Sequence, residues 1–173
     1  MITVISATNR PNSNSLKMAK NYTQLMEKQG VKSKLFSFES LPTDFIISDL
    51  YNKRSENFQQ LLDEFIIPAN KLVFIVPEYN GSFPGVLKTF LDAVHPDLNR
   101  GKKVALVGVS SGRAGNLRGL DHLTGILNYL GMHILPHKLP VSSVLTLLNE
   151  DGTLKDENTI KVLEKQIEEF MKM

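Results

Sequence analysis

The sequence predicts an α/β fold: a doubly wound, five-stranded parallel sheet of order 2-1-3-4-5 with helices on both faces. Three observations carry this. The runs Lys71–Val76 and Lys103–Val109 are short, continuous and apolar, as strands buried on both faces should be. Between such runs, apolar residues recur at helical spacing. Glycine or proline stands where several of these helices should stop. Strands that alternate with helices pair in parallel, and right-handed crossovers leave few topologies to choose from.

The elements follow in chain order. Ile2–Ser6 is a short β-branched run. Asn14–Gln29 carries Leu16, Ala19, Thr23 and Met26 near helical spacing and stops at Gly30. Val31–Phe38 reads as the second strand. Glu39–Asn57 has no clear period, and a loop that long in a compact domain is often functional. Phe58, Leu61, Leu62, Phe65 and Ile66 form an amphipathic helix ended by Pro68, and Lys71–Val76 is the third strand. Val86, Leu87, Phe90, Leu91 and Val94 mark a short helix, and Lys103–Val109 is the fourth strand. Leu120, Leu123, Leu127 and Leu130 share a helix face stopped by Gly131, and Met132–Leu135 is the fifth strand candidate. Asp151-Gly152 is a turn. Thr153 then opens a last helix, with Asp156 as the acid of a capping box and Ile160, Leu163, Ile167 and Phe170 on its apolar face.

Bulk properties exclude several classes. A chain of 173 residues, 42% hydrophobic and 22% charged, fits one globular domain spanning 1–173. The absence of cysteine removes disulfides, thiolate metal sites and a cysteine nucleophile. The net charge is +2 and the basic runs are short, as at Arg100–Lys103, so no nucleic-acid partner is expected. The N-terminus has no basic region ahead of a long apolar stretch, and no window approaches the ~20 apolar residues of a membrane span. A cytoplasmic enzyme without a membrane partner is the expectation. His95, His122, His133 and His137 show no metal-ligand spacing, so no metal site is expected.

In an open α/β sheet of this order, ligands bind beyond the carboxyl ends of strands 1 and 3, where the strand order reverses. Three loops gather there. The first, Ala7–Ser15, enters a helix N-terminus, whose free N–H groups and dipole favour an anion. Thr8, Ser13 and Ser15 offer hydroxyls and Arg10 a forked cation. Equally, Ser13 could only cap the helix while Arg10 stays solvated. The second loop, Pro77–Gly85, holds two prolines and two glycines, with Tyr79 and Phe83 as flat apolar surface; a rigid turn with incidental aromatics is the alternative. The third, Ser110–Asn116, is rich in small residues that let backbone approach a ligand, though such loops are also common connectors. Dinucleotide and triphosphate glycine motifs are absent.

Together these loops resemble the NADPH-dependent FMN reductase family of the flavodoxin-like superfamily. Pro77-Glu78-Tyr79-Asn80-Gly81-Ser82-Phe83-Pro84-Gly85-Val86-Leu87-Lys88 follows the family's PEYNGSxPGxLK run, and Thr8-Asn9-Arg10-Pro11-Asn12-Ser13 resembles its SxRxxS pattern. Asp92-Ala93 stands where the family usually has Asp-Trp. The resemblance implies a flavodoxin-like fold with FMN held by three loops. Thr8, Arg10, Ser13, Asn14 and Ser15 would hold its phosphate. Pro77, Glu78, Tyr79, Asn80 and Gly81 would line its ring. Ser110, Ser111, Gly112, Arg113 and Gly115 would approach its pyrimidine edge. It further implies NADPH or NADH as co-substrate and a small-molecule electron acceptor such as a quinone, azo compound, free flavin or metal ion. No side chain is assigned as catalytic, since the flavin carries the chemistry. A homodimer or dimer of dimers is implied, with the helix from Gly85 to His95 at or near the contact. The alternative is a non-enzymatic flavodoxin-like carrier; such carriers are usually acidic, and this chain is near neutral.

Overall fold

The computed structural model describes every residue of the chain except 51–53. Among the described residues, six strands form one sheet: β1 (Ile2–Ser6), β2 (Lys34–Ser37), β3 (Lys71–Pro77), β4 (Lys103–Val109), β5 (His133–Ile134) and β6 (Leu139–Val141). The order is β2-β1-β3-β4-β5 and every pairing is parallel, so the doubly wound fold read from the sequence is the fold found. The helices are α1 (Asn14–Lys28), α2 (Phe45–Ser48), α3 (Glu56–Leu61), α4 (Gly85–Ala93), α5 (Leu117–Tyr129), α6 (Val144–Leu147) and α7 (Glu157–Lys172).

Strand side chains alternate between two cores. Ile5, Leu72, Phe74, Val76, Val104 and Leu106 face the layer of α3, α4 and α5, together with the ring cluster of Phe36, Phe38, Phe58 and Phe90. Val4, Val73, Ile75, Ala105, Val107 and Val109 face α1 and α7. A π-helical turn at Leu62–Ile66 continues α3, which keeps Leu62 and Ile66 buried and stacks Phe65 on Phe36 at 4.9 Å. The expected amphipathic helix is thus present, with its second half widened.

Three lysines at the amino ends of β3 and β4 cap helix carboxyl ends, where the dipole is negative. Lys71 donates to Phe170 O and Met171 O at 2.7 and 3.0 Å, Lys103 to Met173 O, and Lys102 to Ile66 O at 2.8 Å and to Ala69 O. Burial lowers the pKa of the Lys71 and Lys102 amines, and Lys103 adds to the effect on Lys71.

Three boundaries differ from the sequence reading. The second strand begins at Lys34, not Val31, because it is an edge with only β1 to hold it. Asp156, not Thr153, is the N-cap of α7, accepting from Thr159 N at 2.8 Å, so the helix starts three residues later than read and Asp156 is not its third residue. The fifth strand is split. β5 pairs with Lys103 and Val104, the chain turns away around Pro136, and β6 returns to pair with Val107–Val109. The break leaves Leu106 O facing no strand, and Gln166 of α7 fills it: its amide nitrogen donates to Leu106 O at 3.1 Å and His137 O at 2.8 Å. Tyr22 donates to the Gln166 oxygen at 3.1 Å, and burial pushes the Tyr22 phenol pKa well up. Of the aperiodic Glu39–Asn57 segment, α2 and the stretch around Asp49 and Ser55 are described; residues 51–53 lie outside the described residues.

Candidate binding cleft at the sheet's switch point

The three loops meet beyond the carboxyl ends of β1, β3 and β4. They enclose a cleft of about 540 Å³, the size of a small-ligand site. Its walls include Arg10, Ser13, Asn14 and Ser15 of the first loop, Pro77, Glu78 and Tyr79 of the second, and Ser110, Ser111 and Gly112 of the third.

The first loop leaves β1 along β3, with Ala7 N bonded to Ile75 O at 3.0 Å. Asn12 takes a positive φ of 53° that turns the chain into α1. Ser13 caps the helix, accepting from Leu16 N at 3.1 Å. Asn14 and Ser15 are the first two helical residues, so their N–H groups have no helical acceptor. The Ser13 cap therefore leaves these N–H groups free. Among the described residues the exposed Arg10 guanidinium has no carboxylate partner.

The second loop is a tight hairpin. Tyr79 and Ser82 exchange both backbone bonds, at 2.9 and 3.0 Å, around Asn80 and Gly81 with φ of 52° and 78°. Two positive φ values in an Asn-Gly pair are the signature of a type I′ turn. Glu78 N bonds to Val109 O at 3.0 Å, which extends the sheet into the loop. The Tyr79 hydroxyl meets Thr8 Oγ1 at 2.7 Å, fixing the first loop to the second.

The third loop is held on all sides. Ser110 Oγ donates to Gly112 O at 2.9 Å and accepts from Gly115 N at 3.0 Å. Ser143 N donates to Gly112 O at 2.9 Å, and Ser142 Oγ to Arg113 O at 2.7 Å. Asn116, left-handed at φ 62°, reaches back to β3 and donates to Val76 O and Pro77 O, each at 3.0 Å. The loop folds down so closely that a Cβ on Gly108 would lie 2.1 Å from Gly115 O. That contact explains the one glycine in the apolar run of β4.

Of the residues singled out from the sequence, Thr8, Asn80, Gly81, Arg113 and Gly115 stand outside the cleft lining. Thr8 is fully buried behind the wall; Asn80 and Gly81 form the hairpin tip; Gly115 is buried under Pro140. Sequence reasoning missed Pro11, Asn12, Val109 and Val144 in the lining, and Asn116 behind it. A lone asparagine after Gly115 was the available signal for Asn116, since asparagine tolerates left-handed backbone. Val144 arrives through the β6 crossover and had no local signal. Among the described residues no group of three or more His, Cys, Asp or Glu side chains could hold a metal.

The profile of the NADPH-dependent FMN reductase family matches residues 1–145. The chain belongs to that family. Within it, the chain is 35% identical over 109 residues to an NAD(P)H-dependent FMN reductase of Pseudomonas aeruginosa, across 61% of this chain and 59% of the relative. An FMN-dependent NADPH-azoreductase of Staphylococcus aureus is 24% identical over 154 residues, 87% of this chain and 81% of the relative. The matched stretch spans about three-fifths of the first curated relatives. Among solved structures, the flavoenzyme NAD(P)H:(acceptor) oxidoreductase FerB of Paracoccus denitrificans superposes with a TM-score of 0.81 at 26% identity, covering 99% of this chain and 94% of that one. An archaeal flavodoxin, TM-score 0.59 at 14% identity, shares the fold. The sheet is flavodoxin-like.

Proposed function

We propose that the chain holds FMN in this cleft and serves as an NAD(P)H-dependent reductase of a small-molecule acceptor. The observation that carries the reading is one cleft with two chemically different ends. At one end lie free helical N–H groups, the hydroxyls of Ser13 and Ser15 and the unpaired Arg10, a donor set suited to a phosphate monoester. At the other, the Tyr79–Ser82 hairpin and the Ser110–Gly112 backbone offer a flat wall and polar main chain, suited to a heterocycle. The residues therefore fit the cofactor.

When bound, FMN supplies hydride acceptance from NADPH or NADH and onward transfer to the acceptor. The chain's own part is to bind and orient. Arg10, Ser13, Asn14 and Ser15 anchor the phosphate. Thr8 acts behind the wall, holding Tyr79 through its hydroxyl. N–H groups of the third loop, fixed by Ser110 and Asn116, favour negative charge on the ring edge. Homologues named for FMN, 2-hydroxy-1,4-benzoquinone and azo reduction support a quinone or azo acceptor. Reduced nicotinamide nucleotides are cytoplasmic substrates, and that location belongs to the reading.

The reading includes a homodimer. Leu87, Phe90 and Leu91 of α4 and the following Val94 are spent in the core, and Val86 packs partly against it, so α4 leaves little apolar surface to spare. The contact we assign lies on the outer face of α4 and α5, where Lys88 and Asp92 flank Gly125, Ile126, Leu130 and a Tyr129 that is 92% exposed.

The test is direct. Purified protein should carry, or take up from solution, stoichiometric FMN, and should then oxidise NADPH or NADH in the presence of a quinone or azo dye. A chain that stays colourless with added FMN overturns the reading.

A further inference from the structure

A second, smaller cleft of about 210 Å³ opens where α1 meets the Asp151–Thr153 turn, and it shares Asn12 and Ser13 with the main one. It thus begins at the end of the main cleft that we assign to phosphate. Lys17 and Lys20 line it from α1, and among the described residues neither has a carboxylate within ion-pair distance. Lys17 lies about 6 Å along the helix axis from Ser13, and Lys20 about 10 Å. The stem of Lys17 runs over Gly152; a Cβ there would lie 3.2 Å from Lys17 Cδ, so the turn leaves room for this lysine.

The remaining chemistry of the annex is also specific. Asp151 accepts from Thr153 N at 2.9 Å and Thr153 Oγ1 at 2.6 Å, and these bonds hold its carboxyl pKa below the usual value. It is an anionic acceptor beside two unpaired cations. A simple inorganic anion would be better served without it. A sugar phosphate uses both: the cations meet the phosphate, and the carboxylate accepts from ribose hydroxyls. Gln24 adds a free amide at the rim. The volume is below the ~300 Å³ at which whole-ligand pockets begin, so the annex fits part of a ligand whose remainder sits elsewhere.

We propose that this annex takes the second phosphate and ribose of a flavin dinucleotide, so that the chain accepts FAD as well as FMN in one flavin seat. The inference rests on the FMN reading above. The adenine would lie at the rim, toward Gln24 and solvent. The adenosine phosphate of NADPH or NADH shares this chemistry; the direct continuity of the annex with the phosphate end of the main cleft favours FAD.

The experiment titrates flavin-free protein with FMN, FAD and riboflavin at low salt, by quenching of flavin fluorescence, for the native chain and the Lys17→Gln/Lys20→Gln double variant. Native protein should bind FAD within about tenfold of FMN. The double variant should weaken FAD roughly five- to thirtyfold and leave FMN within about twofold, since two partly exposed charged contacts are lost from one ligand only. FAD weaker than FMN by more than about tenfold in the native chain overturns the proposal, as does equal or no loss for both flavins in the double variant. A parallel measurement on FMN-loaded protein follows the KM for NADPH and NADH. A raised KM with unchanged FAD affinity would give the annex to the co-substrate instead. If FMN itself does not bind, the reading of the main cleft has failed; if FMN binds and FAD does not, only this inference has.

Discussion

Replacing Asn116 tests whether the cleft is built by one strut. Its amide nitrogen donates to Val76 O and Pro77 O, the last two carbonyls of β3, and so ties the third loop to the root of the second. Two neutral hydrogen bonds contribute about 1 kcal/mol each. The Asn116 Oδ1 is buried with no partner, and removing it returns up to about 1 kcal/mol. Asn116→Gly keeps the left-handed backbone without strain, so its net cost should be about 1–2 kcal/mol. Asn116→Ala should cost about 1 kcal/mol more, because a Cβ at φ 62° is disfavoured. Urea unfolding should show both losses as lower midpoints at an unchanged slope. The ligand readout separates a strut from a phosphate contact: FMN and riboflavin should weaken together, since the loops that Asn116 joins line the end of the cleft proposed for the ring. A glycine variant as stable as the native chain, with unchanged affinity for both flavins, would refute the strut.

Four further outcomes are expected. Arg10→Ala should weaken FMN by about 1.5–3 kcal/mol and riboflavin hardly at all; equal losses by titration would remove Arg10 from the phosphate. Gln166→Leu should cost about 1–3 kcal/mol in urea unfolding, because Leu106 O, His137 O and the Tyr22 hydroxyl all lose their partner; a neutral result would mean the split edge needs no stitch. Asp49 is buried, which raises its pKa, but bonds from Ser48 and Ser55 and the charge of Arg54 outweigh this and the net shift is downward. Its stabilisation is therefore full above the unfolded value of about 3.9 and lost as pH falls through the lower folded value; Asp49→Asn should flatten that acid limb in thermal melts at stepped pH. Light scattering should give about twice the 19.4 kDa chain mass, and Tyr129→Asp should shift it toward monomer; a native monomer with full flavin affinity would discard the assigned contact.

Much of the fold is legible because its strongest signals are local. Leu72–Val76 and Val104–Val109 are buried on both faces, so continuous apolarity marks them, and their observed limits agree with the reading to within one residue. The edges are less legible. Lys32 and Lys34 are exposed and β2 rests on one neighbour, so its start is set by pairing with Thr3 rather than by its own residues. The same division runs through the site. Ser13 and the Asn80-Gly81 turn act on the chain beside them, and their types announce it. Thr8 does not: nothing local says that its hydroxyl meets Tyr79, 71 residues on, rather than a ligand.

The split fifth strand shows why such long-range supports escape a sequence reading and still decide the site. A single strand continuing from Met132 would have paired along β4 and stopped. Instead the chain leaves after Ile134 and comes back as β6 beside the carboxyl half of β4. That return delivers Ser142, Ser143 and Val144 to the third loop, where all three bond its carbonyls and Val144 also lines the cleft. The cost of the detour is one stranded carbonyl, Leu106 O, which Gln166 satisfies from α7. A polar residue fully buried on the apolar face of α7 is therefore coupled to the cleft through the register of β6. The coupling makes a consequence of Gln166→Leu specific: if the variant slackens β6, the third loop loosens with it, and flavin affinity falls along with stability. A variant that loses stability and keeps native affinity would show that β6 holds its register without the stitch.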